Sequence, residues 1–266
     1  MSHEEPVVQE EPLPGGNTHA AVVRVGSTVR RPTGPWTASV HALLRHLEQN
    51  GFAHAPRVVG LDEQGRESLT FVEGLVVHPD HESLTASDRA LSEIAAIIRR
   101  YHDIVTGFAN DEEHVWGENG SDPVGPAELI CHNDLAPWNL VHGPAGTWTF
   151  IDWDLAAPGR RAWDLAWALL GFVPLMPAAA LPDADVRRRI DVFRGGYGAD
   201  LFPAGVVEVA AERCGHEAGR IRGLGAAGVD PYVRLLAEGH YETWARAEAH
   251  VLAGSPRWQV TTPPAR

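Results

Sequence analysis

Cys131-His132-Asn133-Asp134-Leu135-Ala136-Pro137-Trp138-Asn139 is followed by Ile151-Asp152-Trp153-Asp154, with Asp152 13 residues after Asn139. Phosphoryl transfer needs a carboxylate within hydrogen-bond reach of the attacking hydroxyl, and oxygen ligands for Mg²⁺ on the nucleotide phosphates. A loop carrying Asp134 and Asn139, joined by a short hairpin to Asp152, supplies all three from adjacent strand ends. Pro137 stiffens the stretch between base and ligand by fixing its φ. The plainer reading makes Asp134 and Asn139 turn formers and Asp152 a helix cap. Against it, Asp152 directly follows the apolar run Phe150-Ile151, where a charge at a strand end is better explained as a metal ligand than as packing. Asp154, two residues on, reads equally as an outer ligand or a solvent-facing acid.

The order H-x-D-x-x-x-x-N, then I-D-W about a hairpin later, then D-L-A at a helix start, resembles the signature of the aminoglycoside phosphotransferase and choline kinase superfamily. Here it is carried by His132, Asp134 and Asn139, by Ile151, Asp152 and Trp153, and by Asp164, Leu165 and Ala166. The resemblance implies an α+β, two-lobed protein-kinase-like fold, with a small N-terminal antiparallel sheet lobe bearing one helix and a larger, mainly helical C-terminal lobe. It implies Asp134 as the catalytic base, Asn139 and Asp152 as Mg²⁺ ligands with Asp154 beside them, and Asp164 with His132 as supports of the catalytic loop. ATP or GTP would be the phosphoryl donor and a small-molecule hydroxyl the acceptor.

Working outward, Ala20 to Val25 and Ser27 to Arg31 are Val-rich runs joined at Gly26 and predict two strands. Val40, Leu43, Leu44 and Leu47 recur at helical spacing between Trp36 and Asn50, with Gly51 as the stop. Arg57 to Leu61 and Ser68 to Val72 predict a second strand pair around the Asp62 to Gly65 turn. The first 75 residues therefore read β-β-α-β-β, as a nucleotide lobe over 15–75. Residues 76–266 form the second lobe, with a helix opening at Ser87, short strands at Leu140 to Val141 and Trp148 to Ile151, and helices from Arg161 onward. The acidic residues 1–14 contain no apolar run of signal-peptide type and read as a frayed tail.

Within the front lobe, Gly15, Gly16, Asn17 and Thr18 precede the first strand, where a flexible loop over phosphates is expected. Phe71 and Glu73 lie at the junction between lobes, where a nucleotide base would sit. Kinase-like enzymes grip the phosphates with a strand lysine held by a helix glutamate. Yet all 22 cationic side chains of this chain are arginine. Arg30 or Arg31 takes the lysine's place, and His41 falls where the glutamate is expected. The absence of lysine also excludes a Walker-type phosphate loop and Schiff-base chemistry.

The acceptor pocket is expected from the later helices, around Tyr232, Glu238, Tyr241 and Glu242. Trp163 and Trp167, four apart, read as core. A net charge of −13 disfavours nucleic acid and anionic membranes as partners. The apolar stretch Leu165 to Leu181 is broken by Gly171, Pro174 and Pro177 and is too short for a span of roughly 20 residues. With only Cys131 and Cys214 there is no disulfide framework, and a cytoplasmic setting fits.

The expected function is an ATP- or GTP-dependent phosphotransferase acting on a small-molecule hydroxyl, with antibiotic resistance as one acceptor class. The alternative is a kinase-shaped binding or immunity protein that sequesters a nucleotide or toxic small molecule without turnover. It is motivated by the missing lysine–glutamate pair. A front-lobe run, Val-Arg-Val-Gly-Ser-Thr-Val-Arg-Arg-Pro from Val23 to Pro32, also resembles trifolitoxin-immunity-like proteins.

Overall fold

Short β-branched runs separated by glycine turns build the front of the molecule. In the computed structural model, which describes residues 10–13, 22–110, 113–117, 122–179 and 181–258, these runs form an antiparallel sheet. Its strands are β1 (Glu11–Pro12), β2 (Val23–Val25), β3 (Thr28–Arg31), β4 (Val58–Leu61) and β5 (Glu67–Thr70), in the order β1-β2-β3-β5-β4. Gly15, Gly16, Asn17 and Thr18, and the expected strand start at Ala20, lie outside the described residues. Glu11 and Pro12, inside the segment read as a frayed tail, instead pair with Arg24 and Val23.

Helix α1 (Thr37–Gln49) lies between β3 and β4 in the chain, and its apolar stripe Val40, Leu43, Leu44 and Leu47 is fully buried. Each such side chain contributes roughly 1.5–3 kcal/mol on burial. Helix α2 (Asp88–Val105) starts as expected: Ser87 Oγ accepts from the Ala90 amide at 3.1 Å, a cap of about 1 kcal/mol. It buries Leu91, Ile94, Ala95, Ile98 and Tyr101. The Tyr101 hydroxyl donates to the Ile130 carbonyl at 2.7 Å, tying α2 to the strand that leads into the signature loop.

That strand is β7 (Leu129–Cys131), paired with β10 (Ala157–Gly159). A three-stranded sheet of β6 (Leu75–Val76), β8 (Leu140–His142) and β9 (Trp148–Phe150), in the order β6-β8-β9, carries the loop's other end. Sequence reading misses β1, β6, β7 and β10, each two or three residues long. Such strands are defined by their partners. Helices α3 (Arg161–Phe172), α4 (Asp183–Tyr197), α5 (Val206–Ala226), α6 (Tyr232–Ala237) and α7 (His240–Trp258) complete the chain. The architecture is thus α+β and two-lobed, a small antiparallel sheet with one helix beside a larger helical body. No described helix is long and apolar enough to cross a membrane.

Candidate active site

The loop from His132 to Asn139 leaves β7 and enters β8, and β9 delivers Asp152 beside it. The Ile151 amide donates to the Asn139 carbonyl at 2.9 Å, so the two signature segments are adjacent through the backbone. Asn133 and Asp152 both adopt left-handed backbone, at φ 67° and 60°, a conformation that is strained for side chains other than glycine. Asn133 is held there from both ends. Its Nδ2 donates to the Leu155 carbonyl at 2.9 Å, and its own carbonyl accepts from Arg213 Nη2 at 2.9 Å. Helix α3 packs so closely that a Cβ on Gly171 would lie 2.7 Å from Pro137 Cδ.

Asp164, in the first turn of α3 and fully buried, anchors the loop. Its Oδ1 accepts from the Asn133 amide at 2.8 Å and its Oδ2 from the His132 amide at 2.9 Å. His102 Nε2 meets the same Oδ2 at 3.1 Å, and His102 Nδ1 lies 2.9 Å from the Tyr197 hydroxyl. Burial pushes the Asp164 carboxyl up, but its bond to His102 and the neighbouring histidines and amides outweigh this and hold it below the usual aspartate value. Burial lowers the pKa of His102 and His132, so both rings are neutral at pH 7. His102 Nε2–H then donates to Asp164, and the Tyr197 hydroxyl donates to Nδ1.

The Asp134 carboxylate is met by two indoles and an amide. Trp167 Nε1 donates to its Oδ1 at 2.8 Å, Trp138 Nε1 reaches both oxygens at 3.2 and 3.3 Å, and Asn139 Nδ2 donates to Oδ2 at 2.7 Å. Trp244 stacks on Trp167 at 5.2 Å between centroids. Burial, reinforced by the nearby Asp152 charge, raises the Asp134 pKa to about 6 against the lowering effect of these donors. A carboxylate poised there suits a general base at neutral pH.

Arg31 is the cation of the site. It lies opposite Glu67 in the β3/β5 register. Its Nε bonds Glu67 Oε2, its Nη1 lies 3.2 Å from Asp152 Oδ1 and its Nη2 lies 2.6 Å from Asp154 Oδ1. His41 Nε2 meets the other Glu67 oxygen at 2.8 Å. Burial disfavours the Arg31 charge, but Asp154, Glu67 and Asp152 more than offset it, so the guanidinium stays protonated. The carboxylate that a helix glutamate would supply thus comes from a strand, with helical His41 behind it. Arg30 faces away and bonds Asp62 at 3.3 Å.

The donors near Asp134 suit Mg²⁺ chemically. Asp152 and the amide oxygen of Asn139 are hard oxygens. Asn139 Nδ2 is spent on Asp134, so the carbonyl end of that amide is its remaining ligand atom. The Asp152 side chain is 42% exposed and accessible to a hydrated ion.

Phe71 and Glu73 lie between β5 and β6, and the residues expected around the acceptor lie on and beside α6 and α7. The Phe71 ring lies under the Arg24 guanidinium at 3.9 Å, and Glu73, largely exposed, accepts from Arg24 at 2.5 Å. Buried Tyr232 lies beneath Arg220, and the Tyr241 hydroxyl meets Arg222 Nη1 at 3.3 Å. Glu238 meets His240 at 3.5 Å, while Glu242 lies in the first turn of α7. The residues that donate to Asp134 are Trp138, Trp167 and Asn139; Trp167 lies in the buried core, as its spacing predicts, and its indole N–H also reaches Asp134. Glu67, His102, Trp138 and Arg213 carry no sequence motif. Only strand parity offered a signal, since Arg31 and Glu67 fall on the same sheet face as the Val29–Leu69 pair.

Residues 118–204 match the model of a phosphotransferase enzyme family, and that span holds the whole constellation from His132 to Asp164. Among curated proteins, the chain is 41% identical over 157 residues to a trifolitoxin immunity protein of Rhizobium leguminosarum bv. trifolii. That match spans 58% of this chain and 58% of the relative's length. Among solved structures it resembles a choline kinase from Streptococcus pneumoniae, with a TM-score of 0.60 and 15% identity over 92% of this chain and 94% of that one. It also resembles a spectinomycin phosphotransferase solved with ADP and spectinomycin, with a TM-score of 0.60 and 12% identity over 93% of each chain. The fold is protein-kinase-like, as the signature implied.

Proposed function

We propose that the protein is a phosphotransferase that moves the γ-phosphoryl group of ATP or GTP to a hydroxyl of a small molecule. The observation that carries this reading is the convergence of Asp134 and Asn139, on a loop anchored by buried Asp164, with Asp152 delivered beside them after β9. Asp134 orients the acceptor hydroxyl and takes its proton. Mg²⁺ held by Asn139 and Asp152 would neutralise charge on the nucleotide phosphates. Asp164 and Arg213 hold the loop so that little reorganisation remains for the reaction itself. Residues 15–75 serve the nucleotide, and the helical body serves the acceptor. The two indoles beside Asp134 favour a pocket recognised by apolar or cationic faces over a purely acidic one. A cytoplasmic setting belongs to this reading and is supported by two buried free thiols.

Thermal melting with ATP and GTP, each with and without Mg²⁺, tests the nucleotide site without knowledge of the acceptor. Ligand at roughly 100-fold above Kd is expected to raise Tm by about 5 °C or more, because it binds only the folded state. The rise should require Mg²⁺ and vanish in Asp152→Ala. Absence of any shift with either nucleotide would overturn the reading. A second expectation concerns Trp167, whose indole N–H lowers the Asp134 pKa. In Trp167→Phe the acidic limb of the kcat/KM profile should move to higher pH, and an unmoved limb would take Trp167 out of the site.

The match to an immunity protein favours one further reading, a kinase-shaped protein that protects by holding a toxic small molecule. Sequestration needs the pocket but no base. Protection of cells would survive Asp134→Asn if binding suffices and would be lost if transfer is the mechanism.

A further inference from the structure

The guanidinium of Arg31 occupies ground that a metal would share. Its three nitrogens end on three different carboxylates, a planar fork spreading over a wider span than the compact ammonium of a lysine would. The contacts are graded. At one end Glu67 is 2% exposed and braced by His41 at 2.8 Å. In the middle Asp154 is 14% exposed and meets Nη2 at 2.6 Å. At the other end Asp152 is 42% exposed, and its 3.2 Å contact with Nη1 is the longest of the three. The arginine is therefore rooted in the sheet lobe and loosest at the one carboxylate assigned to the metal.

Building on the phosphotransferase reading, we propose that Arg31 competes with the divalent cation for Asp152, so that metal binds well only together with a nucleotide. In the free protein the guanidinium neutralises Asp152 and Asp154 and repels a second cation from the same oxygens. An incoming nucleotide offers phosphate oxygens as a substitute partner. Arg31 exchanges Asp152 for phosphate while keeping Glu67 as its pivot, and the released carboxylate becomes available to the metal. The exchange forms and breaks only ion pairs. The same residue thus guards the empty site and grips the loaded one, which accounts for an arginine where the fold commonly uses a lysine.

Mn²⁺ is a direct probe, counted by electron paramagnetic resonance of the free ion against intact protein. Wild type is expected to bind Mn²⁺ alone weakly and to bind it tightly when ADP is present. Arg31→Met should bind Mn²⁺ alone about tenfold more tightly than wild type, the change expected when a neighbouring cation is removed. Arg31→Met/Glu67→Gln removes the buried charge left behind and supplies the same comparison if the single variant does not fold. If the Arg31 variants bind Mn²⁺ alone no better than wild type, while wild type binds it with ADP, the competition is overturned and the metal site stands. If wild type takes up no Mn²⁺ even with ADP beyond what ADP chelates, both the competition and the phosphotransferase reading fall.

Discussion

Asp134→Asn is expected to lower kcat by roughly 10²–10⁴-fold, the usual contribution of a positioned general base, while making the protein more stable at neutral pH. Both effects come from one environment. The folded-state pKa of about 6 lies above the ordinary aspartate value of 3.8, so the fold favours the protonated carboxyl. That favourable contribution is complete below pH ~4 and is lost as pH rises through ~6, where the buried group must carry its charge. Removing the charge should restore on the order of 1–3 kcal/mol above pH 7. The difference in urea midpoint between variant and wild type should therefore be positive at pH 8 and shrink towards zero at pH 4. Wild-type kcat in the variant would remove Asp134 from the base role. A stability difference that does not change with pH would mean the carboxyl titrates normally.

Asp164→Ala should be the most destabilising single change at the site, costing about 3–5 kcal/mol as the loss of a buried, hydrogen-bonded charge. Three partners are orphaned together: the His132 amide, the Asn133 amide and His102 Nε2. The loop would also lose the force that keeps Asn133 in left-handed backbone, so activity should fall beyond the loss of folded protein. Denaturation midpoints together with kcat per folded molecule separate the two effects. The Asp164 pKa is depressed in the fold, so its stabilisation is present above pH ~4 and fades as pH falls through its lower folded value. A variant as stable as wild type would show that Arg213 and Leu155 alone hold the loop.

How much was legible beforehand depended on whether the signal was local. Asp134, Asn139, Asp152 and Asp164 lie within one stretch of chain, and they were readable because their order and offsets match the phosphotransferase signature that the chain resembles. Helices α1 and α2 were equally open, since a dozen or more residues display a 3.6-residue period and Ser87 announces its cap. The front-lobe pair was not. The sequence placed a cation at Arg30 or Arg31 and His41 where a glutamate is expected, but the acid that holds Arg31 is Glu67, 36 residues away and brought opposite by the β3/β5 register. A strand boundary drawn at Ser68 hid it by one residue. Tyr232, Glu238, Tyr241 and Glu242 were chosen for chemical type in the later helical segment, whereas the rings that donate to Asp134 are Trp138 and Trp167.

Periodicity, capping and glycine turns along the chain carry the β-β-α-β-β reading and the helix stripes, and the motif resemblance carries the signature loop. Which arginine faces Asp152, which acid holds it and which rings lie beside Asp134 depend on the packing. It also set the environment that lifts Asp134 to about 6 while holding Asp164 low. The physical reason is that burial and charge proximity are properties of distance in space, and distant segments reveal them only after strand register and helix packing have brought them together.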